Sequence, residues 1–127
     1  MLAQAQLIGF IPTIDSVGAR HFYVDTLGLT FVSDDPFAII VRSGNTDIRI
    51  SRVESFNPSP HTILGWKVPD IEAAVRQFVA AGITFERYPF LKQDANGIWS
   101  APDGAAKVAW FKDPDGNVLS ISQHRQD

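Results

Sequence analysis

Trp110-Phe-Lys-Asp-Pro-Asp-Gly-Asn-Val-Leu-Ser-Ile121 is the stretch on which the reading of the fold turns. Its centre, Asp113-Pro114-Asp115-Gly116, has the composition of a tight turn. Proline presets φ at the second position, and glycine accepts the left-handed conformation at the fourth. Residues 107–111 on one side and 118–121 on the other are rich in β-branched and aromatic side chains. The stretch predicts a β-hairpin closed by a short bulged loop.

Outward from this hairpin, the chain shows the same order of elements twice. Residues 7–13 read as a strand, with Pro12 near its end because proline cannot donate within a ladder. Asp15 and Ser16 are N-cap types, and a helix to about Leu27 follows with Ala19, Phe22, Tyr23 and Leu27 on one face. Gly28 closes it. Strands are predicted at 29–33, 37–42 and 47–53. Residues 55–60, with two prolines, two serines and Asn57, are the only linker-like segment. The pattern then restarts: a strand at 62–68 and Asp70 as cap. The next helix carries Ile71, Ala74, Val75, Phe78 and Val79 at i, i+3, i+4, i+7 and i+8. Gly82 ends it, a strand is predicted at 83–88, and a looser segment leads to the closing hairpin. Leu27-Gly-Leu-Thr-Phe31 echoes Ala81-Gly-Ile-Thr-Phe85, and Asp15 echoes Asp70. A repeat of roughly 55 residues sets the fold.

Composition narrows the function classes. A length of 127 residues suits one compact domain or two small modules sharing a core. A net charge of −3, with no run of Lys or Arg, gives no reason to expect a nucleic-acid partner. The absence of cysteine removes disulfides and thiol chemistry. Residues 1–7 lack the features of a signal peptide, and no apolar run is long enough to span a bilayer. The default expectation is a cytoplasmic protein with no membrane partner.

The Asp-Pro-Asp-Gly-Asn hairpin, the repeat, and Asp15 followed by Phe22-Tyr23 and Leu27-Gly28-Leu29 resemble the vicinal oxygen chelate superfamily. That superfamily contains glyoxalase I, extradiol dioxygenases and bleomycin-resistance proteins. The resemblance covers nearly the whole chain. It implies an α+β fold of two βαβββ modules, at about residues 5–54 and 61–124, making one domain over 1–127. Their curled mixed sheets would surround a shared cleft, with the helices outside.

Metal-binding members use four side chains, two per module, drawn from His, Gln and Glu. Such a set leaves open positions on a divalent ion for two substrate oxygens. The resemblance puts the corresponding places at Ile8, Ile63, Ser120 and near Ile48 to Ile50, with Arg49 the best match by strand parity. Only serine among them is a metal ligand, and a weak one. No metal site and no cofactor are expected; Zn, Ni, Fe or Mn enters only under an alternative reading with an atypical site.

The resemblance also places these positions on the cleft side, and strand alternation adds their neighbours. Phe10 goes with Ile8; His61, Gly65 and Lys67 go with Ile63; Val118 and Ser122 go with Ser120. Trp110, ten residues before the last ligand place, is a pocket position in family members. Trp66 falls on the helix side. Trp99 lies in the irregular segment 90–105, either a lid or a mobile loop. The candidate ligand-binding residues are therefore Phe10, Arg49, His61, Lys67, Trp99, Trp110 and Ser120, with no catalytic residue identified. Arg49 and Lys67 could instead pair with Asp47 or face solvent, and His61, alone, could be a rim residue. His21 reads as exposed or interfacial, and His124 as part of a polar tail.

Three functions follow. One is a metal-free binder of a small apolar or aromatic molecule, similar to the bleomycin-resistance branch. Another is a metal-dependent glyoxalase-like lyase or isomerase, or a dioxygenase, with an unusual site. The third is a dimer that serves only as an interaction scaffold. The missing ligands favour the first over the second, and the aromatics at cleft positions favour it over the third. A homodimer is expected, since small two-module members often pair and two-fold dimers are the commonest soluble oligomers.

Overall fold

A computed structural model describes residues 1–125 of the chain. It divides into two compact units, Met1–Pro58 and a second that begins at Ser59. The first contains β1 (Ile8–Thr13), α1 (Ser16–Arg20), β2 (Thr30–Asp34), β3 (Ala38–Ser43) and β4 (Thr46–Arg52). The second contains β5 (Leu64–Lys67), α2 (Ile71–Ala80), β6 (Trp99–Ser100), β7 (Ala106–Lys112) and β8 (Val118–His124). Each unit is a βαβββ module with a four-stranded mixed sheet, ordered β1-β4-β3-β2 and β5-β8-β7-β6. In both, the first strand pairs parallel with the last, and the other pairings are antiparallel.

Equivalent caps start the two helices. An Asp15 carboxylate oxygen accepts the Gly18 N–H at 3.0 Å, and Asp70 Oδ1 accepts that of Ala73 at 3.1 Å. The first helix differs from expectation beyond Arg20. It continues as a π-helical segment, His21–Thr26, and the Leu27 N–H reaches back five residues to the Phe22 carbonyl at 2.8 Å. Tyr23 is fully buried there and meets Phe22 edge to face. Ile11, Ile39, Val41, Ile48 and Ile50 fill the buried face of the first sheet.

In the second unit Phe111 is the centre of the core. Trp66 stacks on it at 6.4 Å, while Phe78 and Phe85 meet it edge to face at 5.3 and 5.8 Å. Trp66, half-buried, thus packs on the core on the helix side, as strand parity predicts. Ile71, Ala74 and Val75 are buried along α2, one stripe of the expected helix.

Residues 83–88 are not a strand, contrary to the sequence expectation. The segment alternates, with Ile83 buried and Phe85 against Phe78, but among the described residues it has one ladder-like bond to β7, from the Glu86 N–H to the Trp110 carbonyl. The strand beside β7 is instead the short β6, which holds Trp99. No helix among the described residues is long and apolar enough to cross a membrane.

Candidate functional site

Each sheet has one face turned to its helix and one open face, and the candidate residues sort between them by alternation. On the first sheet, Ile48 and Ile50 are buried, whereas Arg49 between them points the other way. Register places Arg49 between Phe10 on β1 and Ile40 on β3. Phe10 is 66% exposed, a large apolar side chain beside a guanidinium. Asp47 does not take Arg49; it is held by Arg42, whose Nε donates to it at 2.6 Å.

Arg49 acts instead on Asp35. The Asp35 carboxylate accepts backbone N–H bonds from Phe37 and Ala38 at 2.7 and 2.9 Å, which hold its pKa below the ordinary 3.8. Arg49 and Arg52 add to this through their charge. A carboxyl with a depressed folded-state pKa stabilises the fold above its ordinary value and loses that contribution as pH falls through the folded value. Asp35→Asn is therefore expected to flatten the loss of stability below about pH 4 in acid unfolding followed by circular dichroism. An unchanged acid limb would refute the assignment.

The second sheet gathers more of the candidates. Gly65, Ser120 and Trp110 form one cross-strand row on its open face. Lys67, Ser122, Val108 and Trp99 form the next. Ser120 is 9% exposed, and the absence of a side chain at residue 65 makes room for it: a Cβ there would stand 2.6 Å from Ser120 Oγ. Trp110 meets Tyr88 edge to face at 5.6 Å and Trp99 at 6.3 Å, and Tyr88 lies 5.6 Å from Phe90, which is 81% exposed. Burial pushes the Tyr88 phenol above its ordinary pKa, with Glu86 raising it further and Lys112 opposing. Tyr88 and Phe90 join this aromatic group although the sequence reading did not name them: Tyr88 ended a predicted strand that does not form, and Phe90 lay beyond it.

Two histidines are placed differently from expectation. His61 precedes β5, is exposed, and donates its backbone N–H to Ser59 Oγ, so strand parity does not reach it. His124 belongs to β8 rather than to a tail, and its Nε2 lies 2.9 Å from Ser122 Oγ. The sequence signal was the unbroken alternation of 118, 120, 122 and 124. His21 is exposed and pairs with Asp25 at 3.1 Å.

The segment 84–98 is tied down by side chains. Gln93 Nε2 donates to the carbonyls of Glu86 and Gly97 at 3.0 and 2.8 Å, and its Oε1 accepts the Tyr88 N–H at 2.8 Å. Arg87 donates to the carbonyls of Asp94 and Ala95, both at 2.7 Å.

The donor chemistry at the four places where the superfamily holds its metal is poor. Ile8 and Ile63 offer no lone pair, Arg49 is a cation, and Ser120 offers one hydroxyl. Among the described residues no group of three or more His, Asp or Glu is placed to hold a metal ion. These residues do not fit the group.

Paired βαβββ units with open sheet faces define a vicinal oxygen chelate fold. A family model for the Glyoxalase/Bleomycin resistance protein/Dioxygenase superfamily matches residues 10–121, and the chain belongs to that superfamily. Solved structures agree on the fold. A superfamily member from Sphaerobacter thermophilus superposes with a TM-score of 0.73 at 23% identity, covering 98% of this chain and 100% of that one. The antibiotic binding protein TnmS3 from Streptomyces gives 0.68 at 22% identity over 98% and 99%. A lactoylglutathione lyase from Agrobacterium tumefaciens gives 0.71 at 16% identity over 94% and 93%. No curated protein is significantly similar in sequence.

Proposed function

We propose that this chain is a metal-free small-molecule binder that holds an apolar or aromatic ligand against Trp110 and Trp99. The observation that carries the reading is the aromatic group in which Trp110 and Trp99, on the open face of the second sheet, meet Tyr88 and through it Phe90, with Ser120 in the row of Trp110 and Lys67 and Ser122 in the row of Trp99. Apolar walls with a few placed polar groups are the usual make-up of such sites. The antibiotic binding by a relative of the same fold supports it. Ile8, Arg49, Ile63 and Ser120 argue against the metal-dependent lyase or dioxygenase reading, which stoichiometric metal in protein purified without chelator would revive. The protein is proposed to be a homodimer, and a monomeric mass in light scattering would count against that.

The test is a fluorescence titration with 1-naphthoate and its neutral amide. Trp110→Ala is expected to weaken both by at least about tenfold, since burying an aromatic body contributes about 25 cal/mol per Å² of apolar area. The parent is expected to prefer the acid. Equal binding by parent and Trp110→Ala would overturn the reading.

A further inference from the structure

At the end of the second sheet, beyond the aromatic row, lies a depression of about 540 Å³ lined by Lys67, Val68, Pro69, Gln123, His124 and Arg125. We propose that it is an oxyanion subsite, taking the phosphate or carboxylate group of a small organic ligand. Its lining carries two permanent cations and an imidazole, and no acidic side chain. Neither Lys67 nor Arg125 forms an ion pair among the described residues. Arg125 Nη1 reaches only the Asp103 carbonyl, at 3.3 Å, while the Asp103 carboxylate is turned to the Ala105 N–H.

The groups converge for a structural reason. Lys67 pairs with Ser122 across the parallel ladder, and His124 is the next residue on the same face of β8. Lys67, Ser122 and His124 thus sit on one face of two adjacent strands. Ser122 Oγ and His124 Nε2 are already hydrogen-bonded, which orients both. At the start of α2, alongside, Asp70 already takes the Ala73 N–H and Gln123 Oε1 that of Ile71. Side-chain cations must do the recognition, and charge-assisted bonds to a carboxylate or phosphate are the strong ones available to them.

The subsite is adjacent to the aromatic row through Ser122 and Val108. As the polar end of one ligand it rests on the binding reading above; as an anion site it stands or falls alone. Inorganic phosphate is titrated into ¹⁵N-labelled protein at constant ionic strength with chloride as control, and 1-naphthyl phosphate, 1-naphthoate and 1-naphthamide are titrated by fluorescence. Phosphate is expected to shift the amides of Lys67, Val68 and residues 123–125. Lys67→Gln/Arg125→Gln is expected to weaken phosphate and both naphthyl anions more than tenfold and leave the amide unchanged, while Lys92→Gln changes none of them. A stronger loss for the phosphate ester than for the carboxylate marks the natural group as a phosphate; the reverse marks a carboxylate. Phosphate binding without naphthyl binding would sustain the subsite and sink the aromatic reading. Shifts scattered over the surface, or equal affinity in parent and double variant, would overturn the subsite.

Discussion

Asp113→Ala is expected to destabilise the second unit by about 3 kcal/mol. Asp113 is 5% exposed, and its carboxylate organises the closing hairpin. Oδ1 accepts the backbone N–H groups of Asp115 and Asn117, and Oδ2 accepts Asn117 Nδ2, all at 2.9 Å. The main chain closes the same loop: the Gly116 N–H bonds the Asp113 carbonyl and the Asp113 N–H bonds that of Asn117, both at 3.0 Å. Gly116 has φ of 87°, the left-handed position that the turn demands of glycine. Alanine would remove all three carboxylate bonds in a loop whose Asn117 is 2% exposed, and a hydrogen bond to a charged group contributes about 1.5–3 kcal/mol. Urea unfolding followed by circular dichroism measures it. A change below about 1 kcal/mol would mean that water replaces the carboxylate without loss.

That loop also shows what the sequence makes legible. Turn chemistry is local: proline and glycine impose φ wherever they occur, so Asp113 to Gly116 could be read before any partner was known. Helix caps are local too, and Asp15 and Asp70 both act where their spacing suggested. Parity is nearly as safe. Once Ile48 and Ile50 face the core, Arg49 cannot, because a strand has a period of two. The readings that failed depended on partners. Residues 83–88 alternate like a strand, yet a ladder needs a neighbour along its length, and β7 supplies only one bond there. The π-helical turn at His21–Thr26 was hidden because the helical stretch is too short for a sequence pattern to separate its period from 3.6. The pairing of Lys67 with Ser122 became visible only with the register of β5 on β8.

Gln93 is the residue that composition hid most fully, and replacing it with alanine is expected to open the segment that carries Tyr88. One carboxamide supplies three bonds: two donated to the carbonyls of Glu86 and Gly97, one accepted from the Tyr88 N–H. No described strand runs between Ala80 and Trp99, so these bonds stand where a ladder otherwise would. At about 1 kcal/mol net for each, their loss costs about 3 kcal/mol of local stability. The cost is confined to the segment because its core anchor remains: Phe85 keeps its contacts with Phe78 and Phe111. Tyr88 would lose its fixed place against Trp110, and with it one wall of the aromatic site. In Gln93→Ala, amide hydrogen exchange is expected to rise at Tyr88, Gly97 and Ile98 by about a hundredfold, while β8 keeps the protection set by global unfolding. Binding of 1-naphthamide should weaken while inorganic phosphate still shifts the amides of Lys67, Val68 and residues 123–125, since Gln93 touches none of the cations. Exchange that rises equally in β8 would show that the carboxamide holds the whole unit together rather than one wall of its site.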